Sequence, residues 1–469
     1  MIADLKPYSE YKKSGSPWLT NVPAHWQVHN LRTLIRPQNE RHRPDLPLLS
    51  VAREKGVFVR SLVDANENHN AIPEDLSNYK VARAGSLVIN KMKAWQGSMG
   101  IAPVDGIVSP AYFVYDLRIG NRAFGQALLR SKPYVAHFGQ ASDGVRVGQW
   151  DLTISAMRQI PVLVPPLAEQ AAIVRFLNAA NGRLQRAIRA KRKVIALLGE
   201  QKQAIIHHAV TRGLDPSVPL KPSGIPWPGD IPQHWEVRRL RHLITGKLKY
   251  GANAAAEFDN PNWPRYIRIT DFRIDGSLRP NTFRSLPPDI ARDYALEPGD
   301  LLLARSGATV GKAFLVRTLT GDACHAGYLI KARADRNLIY PEFLFAFTQS
   351  GAFAAWKDST FNTATIQNIG ADKYANLHVP IPPLTEQREI LDAIAEGQRP
   401  LVIAISRLER EIELLQEYRS RLVADVVTGK LDVRDAAAML PANPRADIPE
   451  DDADLELEVE SADDEDVVA

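Results

Sequence analysis

Two stretches of the chain repeat one another 209 residues apart, and this duplication limits the possible folds more than any other feature. Trp18, Pro23, His25, Trp26, Val28 and Leu31 return as Trp227, Pro232, His234, Trp235, Val237 and Leu240. A second motif, PPLAEQ at 165–170, returns as PPLTEQ at 382–387, offset by 217. A tandem duplication predicts two like globules with an approximate internal two-fold, each carrying a corresponding site. Duplex DNA has a two-fold of its own, which makes it an obvious ligand to test.

At 469 residues the chain exceeds one ordinary core and suits several domains. The repeats run over about 15–214 and 223–432. Each begins with a Trp- and Pro-rich lead-in, followed by a mixed segment of about 140 residues. Within those segments SLVINK (86–91) and DLLLAR (300–305) have strand length, while AFGQALLRS and YPEFLFAFTQS read as helices. The expected class is mixed α/β, with the topology of each globule left open.

After each PPLxEQ the pattern becomes helical. The prolines suit an extended segment, and Thr385 is placed to cap the second helix with Glu386 in its first turn. Leu401, Leu408, Leu415 and Leu422 lie seven apart, and Ile405, Ile412 and Val426 complete the stripe. The first copy offers Leu184, Ile188, Ile195, Leu198, Ile205 and Ala209, with Lys191 as a polar intrusion at one layer. Two such stripes, on helices of about 40 residues or about 60 Å, are best satisfied by pairing as an antiparallel coiled coil. Packing of each helix on its own globule is the alternative. The passage between the repeats, 211–231, then returns the chain, stiffened by Pro226, Pro228 and Pro232.

Charge is segregated. The formal net charge is +4, but residues 450–469 hold eleven Asp or Glu and no Lys or Arg, so the rest is near +15 and favours a polyanionic partner. The single cysteine, Cys324, excludes an internal disulfide and suits a reducing cytoplasm. No apolar run is long enough for a membrane span, and the N-terminus lacks the apolar stretch of a secretory signal.

Catalytic motifs are missing. There is no phosphate-binding glycine loop, HExxH, CxxC, nucleophile elbow or methyltransferase Asn/Asp-Pro-Pro-Tyr/Phe run. Asp289 and Glu297 lack the lysine of a nuclease centre, and His207 and His208 are adjacent on a helix and diverge. The repeated His25 and His234 read as structural hydrogen-bonding groups beside Trp26 and Trp235 rather than as acid-base catalysts.

Two corresponding loops carry the residue types that touch nucleic acid. NKMKAWQGSMG supplies Lys91, Lys93, Trp95, Gln96 and Ser98, and ARSGATVGK supplies Arg305, Ser306, Thr309 and Lys312. Lys and Arg neutralise phosphates or reach guanine, Gln pairs with adenine, and Ser or Thr meets several base edges. Gly97, Gly307 and Gly311 let backbone approach closely. Arg53 with Lys55, and Arg268 with Arg273, are secondary candidates. A tight turn with solvated basic side chains is the competing reading of each loop. Because the two sets differ, each globule is expected to read a different half-site.

These residues resemble a known family. The GSPWLTNVPAHWQV and SGIPWPGDIPQHWEV lead-ins, EPGDLLLARSGATVGKA, and PPLxEQ twice before a long helix are similar to the specificity subunit of type I restriction-modification systems. The segment ARAGSLVINKMKAWQGSMGIAPVDGIVSPAYFVY resembles its target recognition domains. The resemblance covers about 15–433. It implies a lead-in at 1–26, target recognition domains at 27–164 and 236–381, and conserved helical regions at 165–214 and 382–433. A connector with the repeated lead-in falls at 215–235, and an acidic tail at 434–469 is expected to be disordered. The family reads asymmetric, bipartite double-stranded DNA sites, its long helices acting as a ruler for the spacer. It has no catalytic centre. Two modification subunits using S-adenosylmethionine methylate adenine, and two motor-nuclease subunits using ATP and Mg2+ can join, all in the cytoplasm. The competing classes are a protein-interaction scaffold without DNA contact and a stand-alone nuclease or methyltransferase.

Overall fold

The computed structural model describes residues 5–16, 18–60, 75–144, 150–273, 276–307, 309–360 and 368–441. The chain divides into two compact units, one of 1–190 with 410–469 and one of 191–409. Repeats and units therefore do not coincide: the first unit draws on both ends of the chain. The reason lies in the helices.

The first globule is built on a four-stranded antiparallel sheet of β1 (Ile35–Pro37), β2 (Ser86–Asn90), β3 (Met99–Ile101) and β4 (Tyr112–Leu117), in the order β1-β4-β2-β3. Strand β2 is buried along its whole length, as its continuous apolar run requires. Helices Arg122–Leu129 and Lys132–Gln140 pack against it through Phe124, Leu128, Tyr134 and Phe138. A two-stranded ladder, Gln27–Asn30 with Pro161–Val164, joins the lead-in to the strand that precedes the long helix α1 (Leu167–Arg212).

The second globule repeats this plan with β5 (Lys249–Tyr250), β6 (Asp300–Ala304), β7 (Ala313–Leu315) and β8 (Leu329–Arg333), in the order β5-β8-β6-β7. Its ladder is Glu236–Arg239 with His378–Ile381, before the long helix α2 (Leu384–Val427). The globules differ beside the sheet. The first carries a hairpin, Leu49–Ala52 with Gly56–Val59, whereas the second carries a parallel pair, Arg265–Ile267 with Ala323–His325.

The helices have 46 and 44 residues, longer than the stripe alone suggested. In the first unit the start of α1 and the end of α2 share one core, Ile173, Phe176, Leu177 and Ala180 with Leu422, Val426 and Val427. In the second, Ile206, Ala209 and Val210 pack with Ile390 and Ile394, and Gln398 Nε2 lies 3.5 Å from the Lys202 carbonyl. N-terminal half thus meets C-terminal half in each unit, which is antiparallel pairing. Burial follows the stripe. Leu184, Ile188, Leu422 and Val426 are buried, while Ile195, Leu198, Ile205, Leu401, Ile405, Leu408, Ile412, Leu415 and Lys191 are half-buried. Val194, Leu197, Val402, Ile403 and Leu414, off the stripe, are exposed. At the end of α1 the buried face moves from Ile205 to Ile206, the drift of a 3.6-residue helix against a seven-residue repeat.

Three expectations need correction. Thr385 is not the cap of α2: the helix starts at Leu384, where the Pro383 carbonyl accepts from Gln387 N at 2.9 Å. The passage between the repeats is not a stiff linker throughout, because Leu220–Pro222 pairs with Asp230–Pro232 just as Tyr11–Lys13 pairs with Asn21–Pro23. The acidic tail does not begin at 434 either. Arg434–Ala438 is a short helix with Ala437 and Leu440 in the first core, and the Arg434 guanidinium sits 5.2 Å from the Tyr8 ring. The remainder of the tail lies outside the described residues.

Candidate nucleic-acid interface

What holds each globule to its helix determines how its loops are presented. In PPLAEQ, the Glu169 carboxylate is nearly buried, with 5% of its side chain exposed. It accepts from Tyr8 OH at 2.6 Å and Trp26 Nε1 at 2.9 Å, and His25 Nε2 lies 2.7 Å away. Burial and this carboxylate push the Tyr8 hydroxyl well above its ordinary pKa, so it stays a donor. In PPLTEQ, Glu386 accepts from Trp235 Nε1 at 3.0 Å with His234 Nε2 at 2.7 Å. The repeated histidines are thus structural, as expected, but their carboxylate partner was not foreseen.

The glutamines face the other way. Gln170 donates to the Pro165 carbonyl and accepts from Asn121 N at 2.8 Å, fixing the residue that caps helix Arg122–Leu129. Gln387 donates to the Pro382 and Leu338 carbonyls and accepts from Tyr340 N, at the start of helix Pro341–Thr348. Each motif therefore clamps a lead-in with its glutamate and a globule with its glutamine. The helix ends close the arrangement. Gly213 and Gly429 adopt φ of 76° and 75°, and a Cβ on Gly429 would lie 2.5 Å from Pro23 Cδ.

On this base the two candidate loops are topologically equivalent. Residues 91–98 join β2 to β3, and 305–312 join β6 to β7, eight residues each. In the first loop, Lys91 Nζ pairs with Asp151 at 2.9 Å, Ser98 is buried, and Trp95 packs on Trp150 with ring centroids 5.4 Å apart. Gly97, at φ 91°, lets the turn pass against Val135. Lys93 is exposed and Gln96 half-buried, and neither side chain has a hydrogen-bond or ion-pair partner among the described residues. The turn of hairpin 49–59 lies alongside, where Gly56 approaches the Met99 carbonyl. Arg130 donates to the Arg53 and Glu54 carbonyls and holds that turn; the Lys55 ammonium lies 5.5 Å from the Phe58 ring. Arg53 pairs with Glu54 at 3.2 Å on the surface.

In the second loop Arg305 is braced. Its guanidinium sits 5.0 Å from the Tyr250 ring, its backbone N–H donates to the Tyr328 carbonyl, and its backbone carbonyl accepts from Ile369 N. Ser306 bridges to Asn368, the Thr309 carbonyl accepts from Lys312 N, and Lys312 is exposed. The secondary pair separates: Arg273 is exposed, whereas Arg268 binds the fully buried Asp271 at 2.8 Å and donates to the Thr282 carbonyl. Arg268 thus closes a turn. Sequence reading missed the Tyr250 ring beside Arg305. Tyr250 is 42% exposed and lies on β5, far from 305 in the chain. The alternation of Tyr with Lys and Gly at 249–251 was the available signal.

Among the described residues no three His, Cys, Asp or Glu side chains converge to hold a metal ion, and no helix is long and apolar enough to cross a membrane.

No protein-family model matches the chain. In sequence it is similar to the MjaX type I restriction enzyme specificity subunit of Methanocaldococcus jannaschii, 26% identical over 43% of this chain and 47% of that protein. It is also similar to the MjaVIII specificity subunit of the same organism, 24% identical over 79% and 80%, and to the EcoKI specificity subunit of Escherichia coli, 23% identical over 43% and 44%. The chain thus spans about half the length of two of these relatives and four-fifths of the other. Its fold is similar to a chain in a solved structure concerned with complex assembly and conformational transition of the type I R-M system. The TM-score is 0.61 at 17% identity, covering 87% of this chain and 99% of that one. The expected resemblance to type I specificity subunits therefore holds, as does the expected mixed fold with two long paired helices.

Proposed function

We propose that this chain is the noncatalytic DNA-specificity subunit of a type I restriction-modification complex, reading an asymmetric bipartite site with one globule per half-site. The observation that carries this reading is the pair of equivalent eight-residue loops, which leave the same strand of a duplicated sheet with different polar side chains. A shared scaffold with divergent readers is what an asymmetric site demands. Lys93 and Gln96 on one side, and Arg305 with Thr309 and Lys312 on the other, match the chemistry of base edges and phosphates. The relatives' names support the same assignment.

On this reading the methyl donor belongs to two modification subunits, and ATP with Mg2+ to two motor-nuclease subunits. The paired helices serve as the spacer ruler and as the mount for those partners. Mapping methylated adenines in DNA modified by the assembled complex tests the proposal. Two short specified blocks separated by an unspecified spacer are expected, and a contiguous motif or random methylation contradicts it. The chain alone, given duplex, divalent metal and methyl donor, should leave DNA uncut and unmethylated.

A further inference from the structure

At the foot of the second globule, away from its candidate reading loop, Val237, Arg238, Arg239, Arg241, His242 and His378 line an open cavity of about 470 Å³. Arg238 is paired with Glu236 at 2.7 Å. Arg239 and Arg241 have no carboxylate partner among the described residues. They lean on ring nitrogens and an amide oxygen instead: Arg239 on His378 Nε2 and Asn376 Oδ1, both at 3.4 Å, and Arg241 on His242 Nε2 at 3.2 Å. Accepting the Arg239 N–H requires a His378 Nε2 without a proton. Burial and Arg239 both hold His378 below its ordinary pKa, which agrees. Its other ring nitrogen, Nδ1, is buried without a partner among the described residues.

The first globule keeps one of these two arginines and lacks the other. The ladders share one register, with Asn30 opposite Pro161 where Arg239 stands opposite His378. The positions of Arg238, Arg239, Arg241 and His242 are taken by His29, Asn30, Arg32 and Thr33. Arg239, His242 and His378 are therefore not required by the duplicated scaffold, whereas the position of Arg241 is basic in both repeats.

We propose that this cavity is a phosphate site, in which Arg239 and Arg241 engage phosphodiesters of duplex DNA beside the half-site read by the second globule. The inference rests on the DNA-binding reading above. Guanidinium forks present paired donors to phosphate oxygens, and two forks lacking carboxylates on one open concavity favour an anion that brings several acceptors. The position argues for a phosphate rather than a base. Thr245 N donates to the Arg333 carbonyl, and Arg333 stands opposite Asp300, the first residue of β6, whereas Arg305 follows its last. Roughly 13 Å of strand separates the two ends. Contacts there fix register and affinity and leave base choice to the loop.

The test uses the full chain with an unrelated duplex over a KCl series, and with a half-site library. Arg239→Ser/Arg241→Ser should lower the magnitude of the log K against log salt slope by about 2, at about 0.9 per phosphate, with half-site preference unchanged. Arg239→Lys/Arg241→Lys should retain the slope, since charge is conserved, with affinity lowered a few-fold. An unchanged slope in the Ser variant, with wild type binding duplex normally, overturns the proposal. So does a slope lost equally in the Lys variant, or a changed half-site preference. Loss of a protein partner with the slope intact would assign the cavity to an acidic protein surface and also overturn it. Wild type that binds no duplex instead removes the DNA-binding reading on which the site depends.

Discussion

Glu169 and Glu386 carry the same role in different surroundings, and their substitutions should separate accordingly. Glu169→Ala strands three donors around a side chain 5% exposed and should destabilise the first unit by about 3 kcal/mol. Glu386, 22% exposed and lacking a Tyr8 equivalent, should cost about half as much by denaturant midpoint. Such a clamp was half legible in the sequence. The repeated His-Trp and PPLxEQ each announced themselves, but 143 residues separate Trp26 from Glu169, and no local rule pairs them. Burial sets two further expectations. The Cys324 thiol, pushed up to about 12, should resist thiol reagents at neutral pH until the protein unfolds. His325 is wholly buried between the Tyr294 and Lys249 carbonyls, and its burial lowers its pKa below the ordinary 6.5. A depressed folded pKa means that the unfolded chain binds the proton first. The contribution of the neutral, buried His325 to the stability of the second unit is therefore fully present above about pH 6.5 and is lost as pH falls below it, and a pH series of thermal midpoints checks this. A midpoint that rises on acidification contradicts it.

At the scale of elements, the helical stripe was the most legible feature, because apolar residues seven apart line up along one side of a helix and on no side of a strand. What periodicity could not show was the continuation of α2 through Pro400, whose ring removes one backbone donor from the helix interior. Pro400→Ala, at an exposed position, should stabilise the second unit by about 1 to 3 kcal/mol, seen as a higher denaturant midpoint. A four-residue insertion in one helix alone should disrupt the stripe, whereas matched seven-residue insertions in both should keep it and lengthen the accepted spacer. Methylation mapping that returns an unchanged spacer from a stable variant contradicts the ruler. The strands bearing the loops were also readable, since continuous apolar runs such as SLVIN and DLLLA mark buried strands. The loops' internal commitments were not. Lys91 with Asp151 and Arg268 with Asp271 look as free in sequence as Lys93 or Arg273.

For the molecule as a whole, duplication and charge segregation were evident from sequence, but the sharing of the first core between both chain ends was not. Ala437 and Leu440 belong to that core, so truncation after Pro441 is the informative one, and truncation after Val433 should destabilise. The shorter chain loses eleven net negative charges, moving from +4 to +15. Its affinity for unrelated duplex should rise at low salt with half-site choice intact, as a salt series would show. The central claim is the division of reading between two globules. It is tested most directly by measuring binding to duplex libraries in which each half-site is randomised separately, for Lys93→Ala/Gln96→Ala and Arg305→Ala/Thr309→Ala. Each pair should relax discrimination in one half only, a different half for each, by about 1 to 3 kcal/mol per lost base contact. Loss of the same half by both, or a uniform loss of affinity without sequence bias, would contradict the account.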